Sequence, residues 1–189
     1  MPDADRGAHG RLIDQSVHDF VAAVASAETP VPAGGSVVAL SGSCAAALLA
    51  LVCEVAQRHQ SDVLGEERQV AQRLQRLLLK LVDEDAAAYQ AFLATRGGTE
   101  DRQAAINRVA ATPLAIGRAC VEVIGLTRTV EDHTRGALLG DVHAARHLAQ
   151  AAVRTAVDLA EQNLGLQPDA SARRALEAEI TRLRGALAG

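Results

Sequence analysis

The stretch TPVPAGGS at residues 29–36, which runs directly into VVALSGSCAAALLALV at residues 37–52, decides how this chain is expected to fold. Prolines stiffen the approach, glycines let the backbone come close to a ligand, and Ser36 is predicted to be the N-cap of a helix. Free N–H groups at such a helix start attract anions. The small side chains that follow allow a second helix or a flat ligand to approach closely. An ordinary loop before a core helix is the alternative interpretation.

The composition favours closely packed helices. The chain has 189 residues, of which 49% are hydrophobic and only 2% aromatic, enough for one domain with a sizeable core. Alanine and leucine are strong helix formers, whereas the β-branched and aromatic residues typical of strands are few. A net charge of −4 with a pI near 5.8 gives no general attraction to nucleic acid, so dedicated nucleic-acid binding is not expected.

Sequence features also favour a cytoplasmic location and no membrane partner. The first residues lack the basic and apolar regions of a signal peptide. Residues 37–53 stop short of the roughly 20 apolar residues that a membrane span needs, and Glu54 closes them. Three cysteines without CxxC spacing argue against a disulfide framework or a zinc site and for a reducing compartment. We assign these cysteines, which fall in apolar segments, to packing.

Hydrophobic periodicity and helix stop signals predict an all-α antiparallel bundle of six to seven helices. We expect a flexible N-terminus at residues 1–10 and a single helical domain at 11–189. Pro113 is expected either to kink the fourth helix or to begin another. The predicted helices span residues 11–27, 36–60, 64–95, 99–112 with a continuation or new helix after Pro113, 141–164 and 171–187.

Asp85 is the first candidate catalytic residue. It lies within an apolar stripe on the third predicted helix, whose other members are Leu74, Leu77, Leu78, Leu81, Ala88, Tyr89 and Phe92. A carboxylate on an apolar face is costly unless it is paired, hydrogen-bonded or protonated, and desolvation would raise its pKa toward the range of a general acid or base. A salt bridge to a neighbouring helix, or a position at the edge of the stripe, is the structural alternative.

Other polar residues have both structural and functional interpretations. Asp141 opens the predicted helix 141–164 and could be a cap or a dipole partner. Arg58 suits a helix C-terminus but also a substrate carboxylate, and the Asn163 amide could mark a polar helix edge or bind a heterocycle. His143 and His147 have a spacing that can hold a metal, but no third ligand lies at a motif distance, so we predict no metal site.

Taken together, these segments resemble the cyclodeaminase/cyclohydrolase family, which comprises the C-terminal domain of formiminotransferase-cyclodeaminase and stand-alone methenyltetrahydrofolate cyclohydrolases. The resemblance extends from about residue 17 to residue 164. Its motifs are Pro-x-Pro-x-Gly-Gly-Ser with the small-residue helix, LVDEDAAAY at 81–89, TPL at 112–114, GDVHAA at 140–145, and Asn163-Leu164. The order and separation of the motifs carry the resemblance.

The resemblance implies an all-α homodimeric enzyme that takes a tetrahydrofolate derivative as its substrate. It implies hydrolysis of 5,10-methenyltetrahydrofolate to 10-formyltetrahydrofolate, or else cyclodeamination of the 5-formimino form. Asp85 would be the general acid/base, and Asp141 would stabilise the cationic one-carbon unit. The remaining implied or candidate substrate-binding residues are Pro32, Ala33, Gly34, Gly35, Ser36, Arg58, Tyr89 and Asn163.

The sequence departs from the family pattern at several positions. Ala33 replaces the first of three loop glycines, the asparagine usual shortly before the Ser-Asp pair is replaced near Arg135, and Gly140 stands where serine is common. The basic-aromatic cluster after the second helix is reduced to Arg58-His59-Gln60, and the first of two late asparagines is absent. These changes leave open a non-folate substrate or a non-catalytic helical binding protein with the same fold.

Overall fold

The structure, a computed structural model, describes residues 11–28, 31–59, 63–97 and 101–188. Within these ranges it contains six α-helices, two short 3-10 helices and no strand. The segment predicted to be a flexible N-terminus, residues 1–10, lies outside the described residues. The helices are α1 (Val17–Val24), α2 (Gly34–His59), α3 (Gly65–Ala94), α4 (Arg102–Asp132), α5 (Leu138–Leu164) and α6 (Ala170–Ala188), with 3-10 helices at Leu12–Asp14 and Thr95–Gly97.

Four long helices, α2 to α5, form an antiparallel bundle, which confirms the predicted fold class. Each packs against the next along the chain, and α2 and α5 also pack together to close the bundle. The Ser43 hydroxyl on α2 donates to the Gln75 carbonyl on α3, and the Arg73 guanidinium on α3 binds Glu122 on α4. Helix α6 covers α4 and α5 from outside.

Small side chains set the close spacing of these helices. A Cβ on Gly42 of α2 would lie 2.6 Å from the Cys120 sulfur on α4, and one on Gly117 would lie 2.8 Å from the Leu183 side chain. Leu49, Leu74 and Val153 are fully buried between them. The alanine-rich composition therefore brings helix backbones near each other, so that a group on one helix can contact the backbone of its neighbour.

Several predicted local features are wrong in detail. Residues 11–27 do not form one helix, because Gln15 is extended and Ser16 caps a short α1 by accepting from the Asp19 N–H. Pro113 does not begin another helix but lies inside a continuous α4. Helix α5 begins at Leu138, so that Asp141 lies in its first turn. Cys53 and Cys120 are buried as expected, and burial raises the pKa of their thiols to about 11 and about 12, but Cys44 is exposed.

Two helices of the bundle are long and apolar enough to cross a membrane, Gly34–Arg58 and Arg102–Asp132. More than half of the tested window of each lies inside the bundle. Core helices of soluble proteins have the same length and composition, so this finding is weak evidence for a membrane span.

The bundle has two ends that differ in chemistry. The Asp85 end contains the first turn of α2 (from Gly34), the last turns of α3 (from Asp85), the first turns of α4 and the last turns of α5 (from Leu159). The Asp141 end contains the last turn of α2, the first turns of α3 and α5, and the last turn of α4.

Candidate functional site

Asp85 lies against the first turn of α2. Its Oδ2 accepts a hydrogen bond of 2.9 Å from the Ser36 hydroxyl, and its carboxyl also accepts from the Ser36 backbone N–H. The ion pairs found among the described residues do not include Asp85. The carboxylate therefore satisfies the exposed N–H end of α2 from outside that helix, a position that a helix dipole favours for a negative charge.

This arrangement corrects the prediction that Ser36 caps α2. The helix begins two residues earlier, at Gly34, and the Val37 N–H already bonds to the Ala33 carbonyl. Ser36 is fully buried, and its hydroxyl bonds to Asp85 and to the Val82 carbonyl on α3. Its backbone N–H and its side chain are thus committed to α3 and are not presented to a ligand.

Two adjacent glycines of α2, Gly34 and Gly35, have different neighbours and different space around them. A Cβ on Gly35 would lie 2.0 Å from Asp85 Oδ1, so the carboxylate occupies the space that any larger residue would fill. A Cβ on Gly34 would make an ordinary contact of 3.9 Å with Leu159 of α5. Gly35 is therefore required for the approach of Asp85, whereas the exposed Gly34 leaves room beside the α2 terminus.

Burial raises the pKa of Asp85, and the two hydrogen bonds from Ser36 oppose this shift without cancelling it. The residue is half-buried, so part of it remains in contact with solvent. A carboxyl with a raised pKa can hold a proton and release it nearer to neutral pH. Asp85 can consequently serve as a general base, and in its protonated state as a general acid.

Space for a ligand lies beside the α2 terminus. A groove of about 600 Å³ is lined by Val24, Pro32, Ala33, Gly34 and Thr155, among others. Asp85 is not among its lining residues. Tyr89, one turn beyond Asp85 on α3, exposes 38% of its surface, and its ring lies 6.5 Å from that of Phe92. Of the predicted substrate-binding residues, Pro32, Ala33 and Gly34 line this groove, whereas Tyr89 is not among its lining residues.

Asn163 is also at the Asp85 end, where its side-chain amide makes a hydrogen bond to the backbone of α4. Its Nδ2 donates to the Val109 carbonyl at 3.0 Å. Proline lacks an N–H, so Pro113 cannot bond to this carbonyl four residues before it. Asn163 replaces the missing helical bond, which explains how α4 continues through Pro113.

Arg58 and Asp141 lie at the opposite end of the bundle. At 1.5 Å per residue, Arg58 is about 33 Å along α2 from Ser36, and Asp141 is about 27 Å along α5 from Leu159. The Arg58 guanidinium pairs with Glu54, while Asp141 is half-buried. Within one chain, the structure does not bring either residue to Asp85.

Glu131, Arg146 and His143 form a paired cluster at the Asp141 end. The Arg146 guanidinium and the His143 ring both bind Glu131, and these bonds lower the pKa of that carboxyl. Arg135 donates to the carbonyls of Asp132 and Thr134 in its own loop, so it does not fill the groove at the other end. Among the described residues, no group of three histidine, cysteine or acidic residues is arranged to hold a metal.

Sequence reasoning predicted that Asp85 lies on a buried face of α3, but it did not predict the partner of this carboxyl. The stripe on α3 identified a carboxylate on a buried face, whereas the bond between Ser36 and Asp85 joins residues 49 positions apart. The only local signal was a pair of glycines before a serine at a helix start. That pattern indicated a ligand close to the backbone, and within this chain the group at that place is a side chain of α3.

Comparisons with known proteins agree with this fold and these motifs. Residues 16–182 match the family model described as formiminotransferase-cyclodeaminase. The chain is 28% identical over 159 residues to a methenyltetrahydrofolate cyclohydrolase of Methylorubrum extorquens, a match that covers 76% of each protein. It also resembles the crystal structure of formiminotetrahydrofolate cyclodeaminase from Thermotoga maritima, with a TM-score of 0.86 and 20% identity over 94% of this chain and 92% of that one.

Proposed function

The chain belongs to the formiminotransferase-cyclodeaminase family, and we propose that it is a folate one-carbon enzyme that hydrolyses 5,10-methenyltetrahydrofolate to 10-formyltetrahydrofolate. The observation that carries the proposal is the half-buried Asp85 carboxyl, held on the first turn of α2 by Ser36. The relative from Methylorubrum extorquens, which is named for this activity, supports the choice of reaction.

The proposed mechanism needs one proton carrier. Water adds to the cationic carbon between N5 and N10, and the Asp85 carboxylate accepts a proton from it. The C–N5 bond of the tetrahedral adduct then breaks as protonated Asp85 gives its proton to N5. The remaining hydroxyl on carbon loses its proton to solvent and becomes the formyl carbonyl, so that one proton is released overall. A raised pKa allows Asp85 to act in both steps.

The residues around the α2 terminus would bind the substrate. In this proposal the folate lies beside Pro32, Ala33 and Gly34, and the exposed Tyr89 ring offers a stacking surface. The positive end of the α2 dipole lies beside Asp85, where it favours the ionised carboxylate. Gly35 and Ser36 contribute to the site by holding Asp85. Asn163 contributes either by accepting a hydrogen bond from the substrate at its Oδ1 or by the bond to Val109 that maintains α4.

The proposal includes a homodimer, because residues that the family resemblance assigns to the site lie at both ends of one chain. A two-fold axis across the bundle would place the Asp141 end of one chain beside the Asp85 end of its partner. An exposed apolar face is present for such a contact, formed by Val17 (82% exposed), Val21 (58%), Val24 and Val37. Val24 and Val37 also line the groove at Gly34.

Sedimentation tests the dimer. We expect the protein to sediment with the mass of two chains and the Val21→Asp variant with the mass of one, whereas Leu51→Asp, exposed elsewhere on α2, should not dissociate it. A wild-type protein that sediments as a single chain would overturn this part of the proposal. Cytoplasmic localisation is the matching proposal for an enzyme of soluble folates, and fractionation of cells would test it.

Absorbance of the methenyl group tests the activity. We expect purified protein to accelerate the decay of the 5,10-methenyltetrahydrofolate chromophore and to yield 10-formyltetrahydrofolate. Decay at the buffer rate across pH 5–8 would reject cyclohydrolase activity. The same preparation should be tested with 5-formiminotetrahydrofolate, since the matching family model includes cyclodeaminases. Release of ammonia with appearance of the methenyl chromophore would support the cyclodeaminase instead.

A further inference from the structure

Ser36 has two acceptors for one hydroxyl proton. Its Oγ lies 2.9 Å from Asp85 Oδ2 and 3.2 Å from the Val82 carbonyl oxygen. A serine hydroxyl can donate only one proton but can accept through its lone pairs. Ser36 can therefore donate fully to only one of these two oxygens at a time.

The protonation state of Asp85 decides which acceptor receives the proton. When Asp85 is ionised, the carboxylate is the stronger acceptor, because a hydrogen bond to a charged group is stronger than one between neutral groups. When Oδ2 is protonated, its O–H can donate to Ser36 Oγ, and the serine proton can turn to Val82. The Val82 carbonyl lies inside α3, where the helix also supplies a backbone donor, so it tolerates both arrangements.

We propose that Ser36 is a positioning residue, which keeps Asp85 hydrogen-bonded in both its ionised and its protonated state by turning one hydroxyl proton between Asp85 and Val82. Its role in turnover rests on the function proposed above. Since Ser36 is fully buried, it acts only through Asp85. A donor that could not turn away would stabilise only the ionised form of Asp85. It would therefore oppose the uptake of a proton by the Asp85 carboxylate.

Other charged groups near this part of α3 do not account for the behaviour of Asp85. The causes of its raised pKa are its own burial and the two opposing bonds from Ser36. On the neighbouring elements, Arg108 and Asp158 are exposed, and Glu161 pairs with Arg184. On α3, the acidic residues next to Asp85 in sequence have cationic partners, Asp83 with Arg11 and Glu84 with Lys80.

The test compares Ser36→Ala with Ser43→Ala in the full-length protein. Ser43 is a matched control, because it is buried on the same helix and donates to a carbonyl of α3 but not to a carboxylate. The Asp85 carboxyl is titrated by carbon-13 NMR, and turnover of 5,10-methenyltetrahydrofolate is measured across the same pH range.

For Ser36→Ala we expect the ratio of ionised to protonated Asp85 at a given pH to fall about tenfold, because the lost bond to the ionised carboxylate is charge-assisted and stronger than the lost bond to the protonated carboxyl. The pH profile of kcat should move to higher pH by about one pH unit, which corresponds to this tenfold change. Ser43→Ala should leave both curves in place. An unchanged Asp85 titration in Ser36→Ala, or an equal shift in both variants, would overturn the role of Ser36.

The two readouts separate this inference from the proposed function. If the wild-type protein shows no turnover, the proposed function fails, while the NMR titration still decides whether Ser36 controls Asp85. If turnover is present but Ser36→Ala lowers it equally at every pH without moving the titration, Ser36 is merely structural and the inference fails alone.

Discussion

Asp85 and Glu131, two carboxyls at opposite ends of the bundle, have opposite electrostatic surroundings. At the Asp85 end, a half-buried carboxyl accepts bonds from Ser36 and has no ion pair among the described residues, and burial raises its pKa. At the Asp141 end, Glu131 is bonded to Arg146 and His143, and its pKa is lowered. A carboxylate with cationic partners remains ionised and stabilises structure, whereas one that is buried without them can exchange a proton. The difference assigns the proposed chemistry to the Asp85 end.

The largest expected effect comes from a change that moves the Asp85 side chain but keeps the residue. We expect Gly35→Ala to lower turnover by at least about 100-fold, because its Cβ would occupy the place of Asp85 Oδ1 and small misplacements of catalytic groups have effects of this size. Gly125→Ala is the control, since Gly125 is exposed on α4 with no atom within 4 Å of an added Cβ.

Stability measurements show whether Gly35→Ala acts through this contact. Its destabilising effect should disappear in an Asp85→Ala background, where the space is free. Equal destabilisation with and without the Asp85 side chain would contradict the geometry, as would wild-type turnover in Gly35→Ala itself.

The bond between Asn163 and Val109 sharpens the comparison at the Asp85 end of α4. Asn163→Ala should lower the free energy of unfolding by about 1–2 kcal/mol, because it leaves a carbonyl without a donor. In a Pro113→Ala background the cost should be much smaller, since the new N–H can bond to Val109. Urea denaturation of the four proteins of this cycle measures the coupling; additive effects would show that Asn163 does not compensate for the proline.

A smaller effect concerns stability against pH at the two ends. Because the folded protein favours protonated Asp85, ionising this group costs folding free energy, and its contribution is lost as pH rises from the ordinary carboxyl range through the raised pKa. We therefore expect Asp85→Asn to be more stable than the wild type at neutral pH by about 1 kcal/mol. The difference should vanish as the pH falls below about 4.

Glu131→Gln should change the stability at neutral pH in the opposite direction to Asp85→Asn. Its lowered pKa means that the ionised form stabilises the fold above the ordinary carboxyl range, and that this stability is lost as the pH falls. The variant should be slightly less stable than the wild type at neutral pH and equal to it in acid. Thermal unfolding between pH 3 and 8 measures both variants, and a less stable Asp85→Asn at neutral pH would contradict the comparison.

How far the sequence predicts the site depends on whether a feature is local. Periodicity correctly identified the bundle, and it located Asp85 on the core side of α3 because a helical stripe is a property of neighbouring residues. The same stripe included Leu77 and Tyr89, which are exposed, since the width of the buried face depends on the packing partners. Ser16 makes α1 begin only at Val17, because it caps that helix through Asp19, and hydrophobic periodicity does not reveal a cap.

The features that the sequence did not reveal are contacts between helices. Ser36 has the residue type of a cap, but Asp85 supplies the acceptor at the α2 terminus and lets the helix begin at Gly34. Asn163 and Pro113 each looked like independent features until the fold placed the amide on the carbonyl that the proline leaves free. Such pairings arise only once the helices are packed.

Turnover of 5,10-methenyltetrahydrofolate by Asp85→Asn, compared with Glu84→Gln, tests the central claim most directly. Glu84 is adjacent in sequence and is held in an exposed pair with Lys80, so it controls for loss of a carboxylate on α3. We expect kcat to fall about 10²- to 10⁴-fold in Asp85→Asn and to stay at the wild-type value in Glu84→Gln. Wild-type turnover in Asp85→Asn would contradict the assignment of Asp85 as the proton carrier.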